Sequence, residues 1–67
     1  MSNLKEYRLK KNMTQLELAE RSGVSQRMIQ NYEQGTNDIN KAQGLTLQAL
    51  AQVLNCSMED LLELGKI

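Results

Sequence analysis

The stretch from Thr14 to Gly35 reads TQLELAERSGVSQRMIQNYEQG, and its punctuation decides the fold. Thr14 has Glu17 three positions on, the pairing that lets a hydroxyl and a carboxylate cap the first backbone N–H groups of a helix reciprocally. Met13 before that cap and Leu18 after it are apolar and spaced as a hydrophobic staple. Val24, Ser25 and Ile29 repeat the cap and staple eleven residues later, and Gly23 between the two starts suits the left-handed backbone that ends a helix. The spacing predicts helices over 14–22 and 25–34 joined by a tight turn, a helix-turn-helix.

Outward from that stretch the same signals recur. Leu45-Thr46 to Leu50 and Cys56-Ser57 to Leu61 have the cap and staple spacing, with Asp60 at the position matching Glu17. Asn3 with Glu6 opens a first helix, and Gly35 and Asn55 mark further stops. Without proline and with few β-branched residues, the chain reads as all-α, with helices over 3–11, 14–22, 25–34, 46–54 and 57–64. Between 36 and 45 lies a polar, turn-rich loop in which Ile39 is expected to tuck inward, a contact to a partner being the alternative.

At 67 residues with 40% apolar content, the chain supports one small core and one domain, 1–67. It has no apolar run near membrane-spanning length, and residues 1–12 do not resemble a signal sequence, so a soluble, cytoplasmic protein without membrane contact is expected. A lone Cys56 forms no internal disulfide and is read as a small buried hydrophobe; with no histidine, no metal site is expected. Histidine is absent, no hydroxyl has an evident base and no glycine-rich phosphate cradle occurs, which argues against an enzyme, a cofactor or a small-molecule ligand.

Eight basic residues balance eight acidic ones, but unevenly along the chain. Up to Tyr32, Lys5, Arg8, Lys10, Lys11, Arg21 and Arg27 outnumber Glu6, Glu17 and Glu20; beyond it, Glu33, Asp38, Glu59, Asp60 and Glu63 outnumber Lys41 and Lys66. The N-terminal half is the side suited to a polyanion, and a solvated helix face is the alternative.

Two helix pairs are similar, and the second helix of each separates them. At about 100° per residue, Gln26, Arg27, Gln30, Asn31 and Gln34 share one arc of the helix after Ser25, opposite Met28, Ile29 and Tyr32. After Ser57 the corresponding arc holds Met58, Glu59, Leu62 and Glu63, whose carboxylates phosphates would repel. Gln and Asn can present paired donor and acceptor groups to adenine and Arg can donate twice to guanine, so the first pair is the reader and Gln26, Arg27, Gln30 and Asn31 are the candidate base contacts. An ordinary polar surface helix is the competing reading of this arc. Leu9 and Leu16 fall off the inner stripes, and Tyr32 is read as core rather than as a base-stacking platform.

The pattern Thr14-Gln15-x-x-Leu18-Ala19-x-x-x-Gly23-Val24-Ser25-x-x-x-Ile29-x-x-Tyr32-Glu33-x-Gly35 resembles the helix-turn-helix of phage repressors, Cro proteins and related bacterial regulators. The resemblance continues through Leu50-Ala51-x-x-Leu54-Asn55-Cys56-Ser57-x-x-Asp60-Leu61-Leu62, nearly the whole chain. It implies a compact five-helix bundle of the lambda-repressor-like type, with the third helix in the major groove of double-stranded DNA, commonly as a homodimer on a twofold site. Gln15 matches a phosphate-contacting position, Thr14 and Ser25 at the starts of the second and third helices are further candidate phosphate contacts, and the loop residues Thr36, Asn37, Asn40 and Lys41 match a stretch that often meets the next phosphates. That loop is several residues longer than in many relatives. Arg8 and Glu33 match a buried ion pair that joins the first helix to the third. A homodimer through the fifth helix, with Leu62, Leu64 or Ile67 exposed, is a further expectation, and a protein-interaction or antitoxin-type module that keeps the fold is the alternative function.

Overall fold

The computed structural model describes residues 2–63, which form α1 (Asn3–Lys10), α2 (Gln15–Ser22), α3 (Gln26–Gln34), α4 (Gly44–Leu54) and α5 (Met58–Leu61), with a 3-10 turn at Ile39–Lys41 between α3 and α4. Among the described residues there is no strand, and no helix is long and apolar enough to cross a membrane. Every helix contributes to one core, whose fully buried members are Leu4, Leu18, Ile29, Leu50, Leu54 and Leu61. The α2 helix packs on α3 and α4, α4 on α5, and α1 on α3 and α5, so α2 and α4 fix the base on which α3 lies. Burying each of the large aliphatic side chains stabilises the fold by roughly 1.5–3 kcal/mol.

The caps explain where four of the helices begin. Thr14 Oγ1 accepts from Glu17 N–H while Glu17 Oε1 accepts from Thr14 N–H, and Ser57 with Asp60 makes the same reciprocal pair. Ser25 Oγ accepts from Met28 N–H at the start of α3. For α1 the cap is Ser2, whose hydroxyl accepts from Lys5 N–H; Asn3 is the first helical residue, and its side chain donates instead to the Leu62 carbonyl at 2.8 Å. Gly23 and Gly35 end α2 and α3 at φ 77° and 83°, and Asn55 ends α4 at φ 56°.

The start of α4 departs from the sequence expectation. The helix begins at Gly44, two residues before Thr46, behind Gln43, which makes no side-chain cap. Leu47, Leu50, Ala51 and Leu54 form its buried stripe, and Leu45 faces away from it at 79% exposure, so no staple joins Leu45 to Leu50. The packing stripe sets this helix, and backbone hydrogen bonding begins a turn earlier, where Leu47 N–H donates to the Gln43 carbonyl.

Three smaller expectations are also corrected. Met28 lies in the first turn of α3 at the flank of the stripe set by Ile29 and Tyr32, and is 37% exposed rather than core. Cys56 is half-buried, and its partial burial pushes the thiol pKa up, assisted by the nearby Asp60 carboxylate. Leu62 follows α5 in extended backbone and is packed partly buried against the core, which removes it from any exposed helix-five face; Leu64 and Ile67 lie outside the described residues. Ile39 is buried, as expected of the apolar residue in its polar loop, and Tyr32 is buried while Leu9 and Leu16 are exposed, as their positions on the helical pattern require.

Candidate nucleic-acid interface

The third helix divides lengthwise. Ile29 and Tyr32 anchor it in the core, while Gln26, Arg27, Gln30 and Gln34 are exposed and Asn31 is half-buried at the edge. These five polar side chains line a shallow, open depression of about 530 Å³. An α-helix projects residues three and four apart onto the same side, so the amides and the guanidinium stand in adjacent rows along two turns. The arrangement offers several donors and acceptors to a flat, hydrogen-bonding surface.

Behind that face, Glu33 holds the helix in place. Arg8 Nε donates to Glu33 Oε2 at 2.7 Å and Arg8 Nη2 to Glu33 Oε1 at 3.0 Å. The third guanidinium nitrogen, Nη1, donates to the Met13 carbonyl at 2.8 Å, which ties the connection between α1 and α2 into the same knot. Gln15 Nε2 donates to Glu33 Oε1 at 3.0 Å, so the first residue of α2 is joined directly to α3. Arg8 is almost wholly enclosed, and the guanidinium fork satisfies two carboxylate oxygens and one carbonyl without leaving a buried polar atom unpaired.

The remaining candidate residues fall into two groups. Thr14 and Ser25 use their hydroxyl oxygens as helix caps and stay exposed at the N-termini of α2 and α3, where unpaired N–H groups concentrate partial positive charge. Thr36, Asn37 and Lys41 are exposed on the loop that follows Gly35, which is braced by Asn37 N–H donating to the Asn31 carbonyl and by Asp38 capping the 3-10 turn. Asn40, grouped with these by sequence, is engaged elsewhere: its carboxamide pairs with the main chain of Glu63. Gln34 joins the α3 face, a position that its helical phase already indicated. The links made by Asn3, Gln15 and Asn40 depend on long-range approach and have no local sequence signature.

The Helix-turn-helix family model matches residues 4–61, which takes in α1 through α5. No curated protein and no solved structure matches the chain. The match spans the paired helices, the buried ion pair and the C-terminal helices together, and the described residues form an all-helical bundle consistent with the lambda-repressor-like fold. The chain therefore belongs to the Cro/C1-type helix-turn-helix family of DNA-binding regulators.

Proposed function

We propose that residues 1–67 act as one DNA-binding domain that recognises a specific double-stranded site through α3 and represses transcription there, without catalysing a reaction. The observation that carries this reading is the row of exposed Gln26, Arg27 and Gln30 with half-buried Asn31 at its edge, on a helix whose opposite side is locked to the core and to Arg8. Side chains of these types distinguish base pairs by paired hydrogen bonds in the major groove, and the rigid backing keeps them in register.

Phosphate contacts are assigned to Thr14, Gln15 and Ser25 at the N-termini of α2 and α3, and to Thr36, Asn37 and Lys41 on the following loop. Free N–H groups and the helix dipole favour an anion at the first set, and an exposed ammonium, carboxamide and hydroxyl serve the second. One such domain reads only about 3–5 base pairs, so useful specificity favours two copies on a twofold site, a homodimer at least on DNA. The place of action of such a regulator is the cytoplasm.

Retention from random duplex pools at two salt concentrations, followed by sequencing, tests the proposal. An enriched site with half-sites about one helical turn apart is expected, and absence of enrichment at low salt would overturn it. A second reading, a protein-interaction or antitoxin-type module, is favoured by the zero net charge, since affinity for DNA rests heavily on phosphate neutralisation. That reading predicts no enrichment under the same conditions.

A further inference from the structure

One side chain ties the loop between α3 and α4 to the far end of the chain. Asn40 Oδ1 accepts from Glu63 N–H at 2.9 Å, and Asn40 Nδ2 donates to the Glu63 carbonyl at 3.4 Å. A carboxamide presents one acceptor and one donor side by side, as a peptide group does, so Asn40 pairs with the main chain of residue 63 much as a neighbouring strand would. One residue earlier, the Leu62 carbonyl accepts from Asn3 Nδ2 while the Leu62 side chain packs on the core. The segment leaving α5 is thus held between α1 and the loop by two asparagines, both acting on main-chain atoms.

The loop's other hydrogen bonds are short in range. Asn40 N–H donates to Asp38 Oδ1, Lys41 N–H to the Asp38 carbonyl, Ala42 N–H to the Ile39 carbonyl, and Asn37 N–H reaches back to Asn31. Ile39 is its buried anchor, and a hollow of about 310 Å³ bounded by Tyr32, Asn37, Asp38, Asn40 and Glu63 leaves this corner thinly packed. A single 3-10 turn with local bonds beside a hollow opens readily unless something distant in sequence holds it.

We infer that Asn40 is a positioning residue for DNA binding: by clamping the main chain of Glu63 it holds Thr36, Asn37 and Lys41 in phosphate register, making the C-terminal segment part of the binding unit. This rests on the reading of the 36–41 loop as a phosphate contact. Asn40 sits next to Lys41 in the same turn, so release of the clamp frees the ammonium and the two preceding side chains together. The sequence read by α3 is untouched, because the face formed by Gln26, Arg27 and Gln30 lies on a separately anchored helix.

The test uses Asn40→Ala and Lys41→Ala in the full chain. In the free protein, Asn40→Ala is expected to raise amide exchange at Glu63 by about tenfold or more while core amides keep their protection. On the enriched duplex and on a scrambled one, it should lower affinity alike and reduce the slope of log K against log salt by about one, with base preference retained. Lys41→Ala should reduce that slope similarly without altering exchange at Glu63. A slope unchanged in Asn40→Ala but reduced in Lys41→Ala overturns the inference and leaves the loop contact standing. Slopes unchanged in both remove the loop contact and the inference with it, and unchanged exchange at Glu63 also refutes the clamp.

Discussion

Arg8 and Glu33, 25 residues apart, meet in a two-point ion pair whose side chains are 9% and 3% exposed. Removing one partner leaves an enclosed charge without compensation, so Glu33→Ala is expected to destabilise the fold by about 3–5 kcal/mol. It also releases Gln15, which loses its acceptor. Replacing the pair together, as Arg8→Met with Glu33→Leu, should cost much less, because desolvation of both charges is relieved at once. Urea unfolding of Arg8→Met, Glu33→Leu and the double variant gives the coupling, and additive effects would show that the pair contributes nothing as a pair.

Base and phosphate contacts separate by their dependence on sequence. Arg27→Ala should lose about 1–3 kcal/mol on the preferred duplex and relax preference at one base pair. Gln15→Ala should weaken binding on every duplex, through the lost phosphate contact and the lost link to Glu33. Binding measured on a set of single-base variants of the enriched site distinguishes them, and a uniform loss from both substitutions would contradict this division of roles.

Gly35 closes α3 at φ 83°, and a Cβ built there meets nothing within 4 Å. Its replacement by alanine therefore costs backbone strain alone, about 1–2 kcal/mol. Gly35→Asn should recover part of that, since asparagine tolerates the left-handed region, as Asn55 does at the end of α4 at φ 56°. A loss in Gly35→Ala well above this range, read from thermal unfolding, would mean that the turn tolerates no side chain for steric reasons.

Glu17 is held below the usual carboxylate range by the backbone N–H of Thr14 and then by its hydroxyl. A carboxylate depressed in the folded state favours folding above its unfolded pKa, near 4.5, and that contribution is lost as pH falls through the lower folded value. Thr14→Ala removes the hydroxyl but keeps the backbone N–H, so it should raise the Glu17 midpoint only part of the way toward 4.5 and slightly flatten the acid limb of the stability curve. Carboxyl-carbon NMR titration reads this directly, and a midpoint indifferent to the substitution would assign the whole depression to the backbone N–H and none to the hydroxyl. Full solvent exposure keeps the effect small.

What the sequence made legible was local or periodic. The caps at Thr14, Ser25 and Ser57, the turn at Gly23 and the inward stripe of α3 each rest on residues within a few positions of one another, where short-range hydrogen bonding and helical phase decide the outcome. The start of α4 was misread because a sequence-plausible cap at Thr46 competed with the register imposed by Leu47, Leu50 and Leu54, and tertiary burial prevailed. The expectation for Asn40 comes from the resemblance of its loop, whereas its engagement with Glu63 depends on a segment 23 residues away and has no signal in the sequence. Family resemblance pointed to the pairing of Arg8 with Glu33, but the attachment of Gln15 to that carboxylate had no signal in spacing.

The lengthwise division of α3 separates an outward polar row from the residues that keep the helix in place. Gln26, Arg27, Gln30 and Gln34 are exposed, while Ile29, Tyr32 and Glu33 supply the anchorage. On the proposed reading, substitution at the outward positions should change preference for DNA with little effect on folding, since surface changes of this kind usually stay within about 0.5 kcal/mol. The domain is in that sense a retargetable scaffold: a library randomised at those four sites would yield mostly folded members, and new operator preferences could evolve without passing through unstable intermediates.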